Sequence, residues 1–186
     1  MRLSQARVAP LSDAEMSDEQ KEALKPFGNR VLNIFRTLVH DPKALVRFNE
    51  WGGYILSRRN GLPAREREIV ILRTGFLCRS GYEWTQHVAI GKREGLTDDE
   101  IARIKKGAAA GWSAADAALI RAADELHADQ FITDATWKTL AAHFSQKQCM
   151  DVVYTAGQYT QVSMMLNSFG VQLDAGLTLD PDLKHF

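Results

Sequence analysis

The chain has 186 residues, of which 45% are hydrophobic and 25% are charged, a composition that suits one globular domain with an apolar core. Lysine and arginine total 23, as do aspartate and glutamate, so no basic surplus indicates binding to nucleic acid or to an anionic membrane. The sequence contains no apolar run of transmembrane length and no apolar signal-peptide core. Cys78 and Cys149 form no disulfide framework, so we expect a cytoplasmic protein with reduced thiols.

Helix start and stop signals recur along the first half of the chain, whereas the alternation typical of strands is nearly absent. The sequence Ser17-Asp-Glu-Gln20 is typical of a capping box. We interpret residues 1–16 as an N-terminal arm and residues 17–186 as a single helical domain. Helices are predicted to follow the capping box at about 31–39, 42–60, 63–78 and 82–94.

The second half carries the same kind of signals. Capping boxes begin at Thr97 and Ser145, single caps stand at Ser113 and Thr133, and Gly170 can end the last and longest helix. These signals predict about eight helices in all. The predicted fold is all-α, a compact bundle.

Glu83 and His87 are the most informative pair in the sequence. They lie one helical turn apart and therefore share a face, with Trp84 beside His87 at i+3. General acid/base chemistry needs such a pair, because histidine carries a proton near neutral pH and a carboxylate can orient it. A glutamate–histidine pair on a solvated helix surface is the alternative.

Glu68 is a second carboxylate of interest, since it stands at the edge of a helical face that it shares with Leu72 and Gly75. Burial would let this carboxyl hold or deliver a proton near neutral pH. A surface position with pairing to Arg65 or Arg73 is the alternative. The two glutamates and the single histidine are a poor ligand set for zinc, and we predict no metal site.

Several other polar and aromatic residues are candidates for a pocket. Gln158 and Tyr159 interrupt the apolar pattern of the longest helix and could reach into a cavity, or they could simply find partners at the edge of the core. Trp84 could form either the core or the apolar wall of a pocket. The remaining histidines have no motif around them and are interpreted as structural or surface residues: His40, His127, His143 and His185.

Three stretches carry a family resemblance: Leu62-Pro-Ala-Arg-Glu-Arg-Glu-Ile-Val-Ile-Leu-Arg73, Tyr82-Glu-Trp-Thr-Gln-His87 and Gly95-Leu-Thr97. They resemble the carboxymuconolactone decarboxylase family of the alkylhydroperoxidase-like superfamily, in an extended form with Glu-Trp-x-x-His. Later segments such as Gly157-Gln-Tyr-Thr160 are similar to the longer members. The resemblance implies an alkylhydroperoxidase-like helical fold.

Peroxidase members of that superfamily carry a Cys-x-x-Cys pair four residues before a histidine, with a glutamate twelve residues before the first cysteine. When His87 is set on this histidine, Ser80 and Glu83 occupy the cysteine positions and Glu68 occupies that of the glutamate. A dithiol cycle needs both sulfurs, so the sequence disfavours disulfide-linked peroxide reduction. Cys78 stands two residues before the first position and is predicted to line the substrate pocket.

The resemblance implies a cofactor-free lyase that releases CO2 from a small lactone or ring acid. His87 would protonate the resulting enolate, with Glu68 or Glu83 orienting it, and Trp84, Gln158 and Tyr159 would complete the pocket. No phosphate loop or dinucleotide fingerprint appears, and no cofactor is predicted. Isomerisation, lactone hydrolysis, a peroxidase-like antioxidant role and a non-catalytic ligand-binding role stay open as alternatives.

The resemblance also implies a homo-oligomer, either a trimer or a hexamer built from trimers. Light scattering at micromolar concentration is expected to give three or six times the mass of one chain. The mass of a single chain under the same conditions would contradict this prediction.

Overall fold

The computed structural model describes residues 1–184, and within that range the protein is all-α, with nine α-helices and no strand. The predicted fold class is confirmed, and His185 lies outside the described residues. No helix in this range combines the length and the apolar character that a membrane span requires. The helices are α1 (Asp18–Leu24), α2 (Asn33–Leu38), α3 (Pro42–Leu56), α4 (Ala64–Leu77), α5 (Gly81–Arg93), α6 (Asp98–Lys106), α7 (Ala114–Asp129), α8 (Asp134–His143) and α9 (Gln146–Phe169).

Local capping signals set many of these boundaries. The three predicted capping boxes, at Ser17, Thr97 and Ser145, each form both of their reciprocal hydrogen bonds. Gly170 ends α9 in the left-handed conformation, with φ of 69°, which a residue without a Cβ adopts at little cost. The helix ends are therefore encoded by residues within one turn of each boundary.

Helix α4 lies at the centre of the molecule and packs against α5, α7 and α9. Its residues 69–72 have no solvent exposure, and because four consecutive residues point in all directions around a helix, α4 is covered on every side. Glu68, directly before this run, is also fully buried. A carboxylate in such a position must find its partners inside the protein.

A short connection folds α5 back along α4. Arg79 adopts a left-handed φ of 54°, and the Ser80 N–H donates to the Gly75 carbonyl at 2.9 Å, which closes the last turn of α4. The two helices approach closely, since a Cβ on Gly75 would lie 3.3 Å from Glu83 Cγ and one on Gly91 would lie 3.3 Å from Leu72 Cδ1. This close approach places the inward face of α5 against the buried carboxylate of α4.

Residues 1–16 lie along their own chain rather than extending away from it. The N–H groups of Arg7 and Val8 both donate to the Phe169 carbonyl, at 2.8 and 3.1 Å, and Met16 is buried beside α1 and α3. The segment thus covers the C-terminal end of α9. Terminal arms are often ordered only by docking on a neighbour, whereas these contacts come from the same chain.

Candidate active site

His87 lies between two carboxylates in the interior. Its Nδ1 is 2.7 Å from Glu68 Oε2 and forms a hydrogen bond, which Nδ1–H donates to the carboxylate. Its Nε2 is 2.9 Å from Glu83 Oε1, but this contact lacks hydrogen-bond alignment, and Glu83 Oε1 has no hydrogen-bond partner among the described residues. All three side chains are buried, so the solvated-surface alternatives for Glu68, Glu83 and His87 are wrong.

The two carboxylates favour the protonated form of His87. Burial alone would lower the pKa of His87, but the negative charges of Glu83 and Glu68 and the hydrogen bond to Glu68 outweigh burial and raise that pKa to about 10. His87 is therefore an imidazolium at neutral pH. The arrangement keeps a proton in the interior, where Glu68 forms a hydrogen bond with His87 and Glu83 contacts His87 without hydrogen-bond alignment.

We expect the protein to lose stability as the pH rises from about 6.5 to about 10, the ordinary and the raised pKa of His87. Below this window His87 is protonated in both the folded and the unfolded state, and its ion pairs contribute fully to the free energy of unfolding. Within the window the folded state binds more protons than the unfolded state, so the free energy of unfolding falls as the pH rises. Urea unfolding across this range should show the decline in the wild type. His87→Gln should lack this component, and parallel profiles for the two proteins would contradict the prediction.

A cavity of about 320 Å³ opens beside His87. Glu83, His87, Gln158 and Tyr159 contribute to its wall. Most of the remaining wall is apolar and includes Leu32, Ile34, Phe35, Phe48, Ile90 and Val162. This size lies at the low end of the range for ligand pockets and fits a molecule of about one ring.

The cavity lies between two parts of the fold. One wall comes from α5 and α9, and the other comes from α2, α3 and the turn before α2. Gly52 of α3 faces α9 closely, since a Cβ there would lie 3.5 Å from Gln158 Nε2. The ring edge of His87 meets Tyr159, with the ring centroids 4.9 Å apart and the planes at 82°.

Asp174 ties the two walls together. Its Oδ2 accepts hydrogen bonds from the Tyr82 hydroxyl at 2.6 Å and from Gln86 Nε2 at 2.7 Å, both on α5. Its Oδ1 accepts from the N–H of Asn33, the first residue of α2, at 2.8 Å. Tyr82 and Gln86 line the cavity, so this carboxylate fixes the position of α2 relative to the wall that α5 contributes.

Four of the predicted site residues lie together at the cavity wall: Glu83, His87, Gln158 and Tyr159. Glu68 lies behind His87 and reaches the cavity only through it. The placement of Gln158 and Tyr159 agrees with the idea that polar residues in an apolar helix reach into a cavity.

Trp84 does not line this cavity and takes the other position considered for it, in the core. Its ring packs 5.5 Å from Phe76 in the main core, and its Nε1–H donates to Asp180 Oδ2 at 3.0 Å. A residue next to Glu83 is rotated by about 100° around the helix. Because α5 is buried on two sides, that rotation moves Trp84 from the cavity to the opposite core.

Cys78, predicted to line the substrate pocket, lies away from the cavity beside His87. It is half-buried in a separate cleft, where its Sγ is 3.7 Å from His127 Nδ1. Cys78 follows Glu68 by ten residues of helix, which is about 15 Å at 1.5 Å per residue. Burial raises the pKa of its thiol, so Cys78 is not an activated thiolate.

The positions of Glu68, Glu83 and His87 do not form a metal-binding set. Within residues 1–184 no group of three or more histidine, cysteine, aspartate or glutamate side chains is arranged to hold a metal ion. The two carboxylates contact opposite nitrogens of the imidazole, so the three side chains do not point at a common centre. The geometry suits proton storage instead.

The wall that α2 and α3 contribute, including Phe35, Phe48 and Asn49, was not predicted from the sequence. A single signal could have indicated it. The pair Gly52-Gly53 stands inside a helix, where glycine is unfavourable and often marks a close approach. The role of Asp174, far along the chain, had no local signal.

The chain is similar to one family model and to several solved structures. The model of the carboxymuconolactone decarboxylase family matches residues 42–125. The matched segment contains Glu68, Glu83 and His87, whereas Gln158 and Tyr159 lie outside it. No curated protein matches the chain.

Solved structures with similar folds support an alkylhydroperoxidase-like fold. An uncharacterized peroxidase-related protein from Ralstonia eutropha JMP134, with an alkylhydroperoxidase AhpD core, superposes with a TM-score of 0.76 at 18% identity, covering 90% of this chain and 93% of its own. A peroxidase-related protein from Silicibacter sp. TM1040 gives 0.76 at 14% identity, covering 93% and 95%. A variant of the debrominase Bmp8, in complex with 2,3,4-tribromopyrrole, gives 0.74 at 12% identity, covering 92% and 94%.

Proposed function

We propose that this protein is a cofactor-free acid/base catalyst that transfers a proton to or from a carbon atom of a small ring compound. The observation that carries the proposal is the buried imidazolium of His87, hydrogen-bonded to Glu68 on one side and open to a ring-sized apolar cavity on the other. Acid/base catalysis needs a proton carrier with a fixed orientation next to a substrate cavity.

The proton offered to the substrate is the one on His87 Nε2. Nδ1–H is used by Glu68, whereas Nε2 only approaches Glu83 without alignment, so a substrate group can take its hydrogen bond. Glu68 is then the positioning residue. Glu83 lies at the cavity wall and can accept or return the proton, which lets the unit reset after each turnover.

The cavity also offers a donor for the enolate oxygen that such chemistry creates. Burial, followed by the negative charges of Glu83 and Glu68, raises the pKa of Tyr159, so its hydroxyl stays protonated at neutral pH. A neutral hydroxyl at the wall can donate to a developing oxyanion. The apolar surroundings exclude water and strengthen this hydrogen bond.

Two specific reactions follow from this proposal. In decarboxylation of a lactone or ring acid, the C–C bond to the carboxylate breaks, its electron pair enters the conjugated carbonyl as an enolate, and His87 protonates the carbon. In isomerisation, Glu83 removes a proton from one carbon and His87 returns one to another. The family name favours the first reaction and makes it the first to test.

A screen in D2O tests the proposal across a range of ring compounds. Purified protein is incubated with a panel of unsaturated lactone acids and cyclic enones, with CO2 release and carbon-bound deuterium both followed. We expect one deuterium at the protonated carbon, with CO2 release only in the decarboxylation case. An enzyme that turns over a panel member with neither signal would contradict the proposal.

A peroxidase-like role is the second candidate, favoured by the peroxidase-related proteins that share the fold. Against it, Ser80 and Glu83 stand where such members carry cysteines, and Cys78 lies in a different cleft from His87. We expect Cys78→Ser to retain the activity that the screen finds. Peroxide consumption by the wild type that Cys78→Ser abolishes would instead favour the antioxidant role.

A further inference from the structure

The lining of the cavity contains no cationic side chain apart from His87. None of its lining residues within the described part of the chain is a lysine or an arginine. Arg67 is buried nearby and acts electrostatically on Tyr159, but it does not line the cavity and its Nη1 donates to the Ser57 carbonyl. An anion entering the cavity would therefore find one imidazolium as its only lining cation.

That imidazolium is already outnumbered by the carboxylates around it. Glu68 and Glu83 both contact His87, so two acidic side chains surround one basic side chain. The positive end of the α5 dipole is met by Glu83, which lies in the first turn of that helix. A third anion would be desolvated next to two carboxylates, and hydrogen bonds from His87 Nε2–H and the Tyr159 hydroxyl would not remove the repulsion between the like charges, which is unfavourable.

Gln158 favours a ligand that carries a hydrogen-bond donor, in addition to the preference for an uncharged ligand. The side chain is 4% exposed and lines the cavity, and its Oε1 is buried without a hydrogen-bond partner among the described residues. A buried acceptor without a partner is unfavourable until a donor reaches it. Small reorientation of this amide toward the cavity would let a ligand donor satisfy it.

We propose that the cavity binds an uncharged ring compound that carries a hydroxyl or N–H group, held by Gln158, and discriminates against ring carboxylates. The proposal rests on the proposed function only in taking this cavity as the substrate site. It favours isomerisation or another enolate reaction of a neutral substrate over the decarboxylation of an acid that enters as its anion.

Binding of small aromatic probes tests the inference directly. Phenol, toluene and benzoate are titrated at pH 7.5 into ¹⁵N-labelled wild-type protein, and the amide shifts of α5 and α9 are followed. We expect phenol to bind about tenfold or more tightly than benzoate, and about threefold to tenfold more tightly than toluene, from one additional hydrogen bond. Benzoate binding as tight as phenol binding, or no saturable phenol binding, would overturn the inference.

Two variants assign the effect to the named residues. Gln158→Leu should reduce phenol affinity to the level of toluene, whereas Gln161→Leu, an exposed glutamine on the same helix outside the cavity, should leave it unchanged. Glu83→Gln, which replaces an acidic side chain at the wall by a neutral one, should reduce the ratio of phenol affinity to benzoate affinity. An unchanged affinity ratio in Glu83→Gln, or equal effects of Gln158→Leu and Gln161→Leu on phenol affinity, would contradict the inference.

The probes need not react, so the binding pattern is separable from catalysis. Preference for benzoate in an enzyme that still depends on His87 would overturn this inference and leave the acid/base proposal standing. A preference for phenol in a protein whose turnover does not depend on His87 would support this inference and contradict the acid/base proposal.

Discussion

We expect His87→Ala to lower turnover by roughly 10²–10⁴-fold, the usual contribution of a positioned acid or base. The substitution removes the proton held between Glu68 and Glu83, and no other histidine lines the cavity among the described residues. The measurement is kcat on the first substrate that the D2O screen identifies. Unchanged turnover in His87→Ala would contradict the assignment of this cavity as the active site.

Controls separate this chemical effect from damage to the fold. His87→Ala leaves two buried carboxylates without their cation, which costs about 3–5 kcal/mol when a buried pair is broken. His87→Gln keeps a hydrogen-bonding side chain in place and should be equally inactive while unfolding closer to the wild type. His127→Ala, in the separate cleft beside Cys78, is the matched control and should retain turnover.

Glu68→Gln is expected to lower turnover as well, by about tenfold or more, since it weakens the positioning of the acid. The glutamine keeps the shape of the side chain but removes the charge that orients His87 and stabilises its proton. Turnover in Glu68→Gln should also fall at a lower pH than in the wild type, because His87 releases its proton more easily. A merely structural role for Glu68 would not move this pH profile.

The double variant Glu68→Gln/His87→Ala tests whether the two residues act as one unit. Within a unit the effects are not additive, so the double variant should be little worse than His87→Ala alone. Glu66→Gln, on the same helix but paired with Arg65, is the matched control and should retain turnover. Losses that multiply would mean that Glu68 and His87 work independently.

The helices could be predicted from the sequence because their ends depend on nearby residues. The capping boxes at Ser17, Thr97 and Ser145 use hydrogen bonds that span three residues, so a short stretch of sequence contains the whole signal. The pairing of Glu83 with His87 is equally local, since both lie on one turn of α5. Here sequence spacing and spatial contact coincide.

The shape of the site depends on packing that no spacing rule contains. Glu68 meets His87 because α5 folds back along α4, and the glycines that allow this approach, Gly75 and Gly91, carry no such meaning in isolation. The sequence leaves both positions open for Trp84, because a helix buried on two sides offers two apolar faces and the sequence does not say which one faces the cavity.

Distant segments supply the rest of the cavity. Phe35 and Phe48 come from α2 and α3, which precede the helices that carry Glu68 and His87, and Asp174 comes from the segment after α9. Each has an ordinary structural role when considered alone, as an apolar residue or a surface carboxylate. Their contribution to the site arises only from the tertiary contact between α2, α3 and α5.

An NMR titration of His87 tests most directly whether the two carboxylates hold it as a buried acid. Protein labelled at the histidine side chains is titrated from pH 5 to pH 11, with the His87 resonance assigned by its loss in His87→Gln. We predict an imidazolium that persists through neutral pH, with a midpoint well above 6.5 that Glu68→Gln lowers. A His87 midpoint near 6.5 that Glu68→Gln leaves unchanged would contradict a buried acid held by these carboxylates.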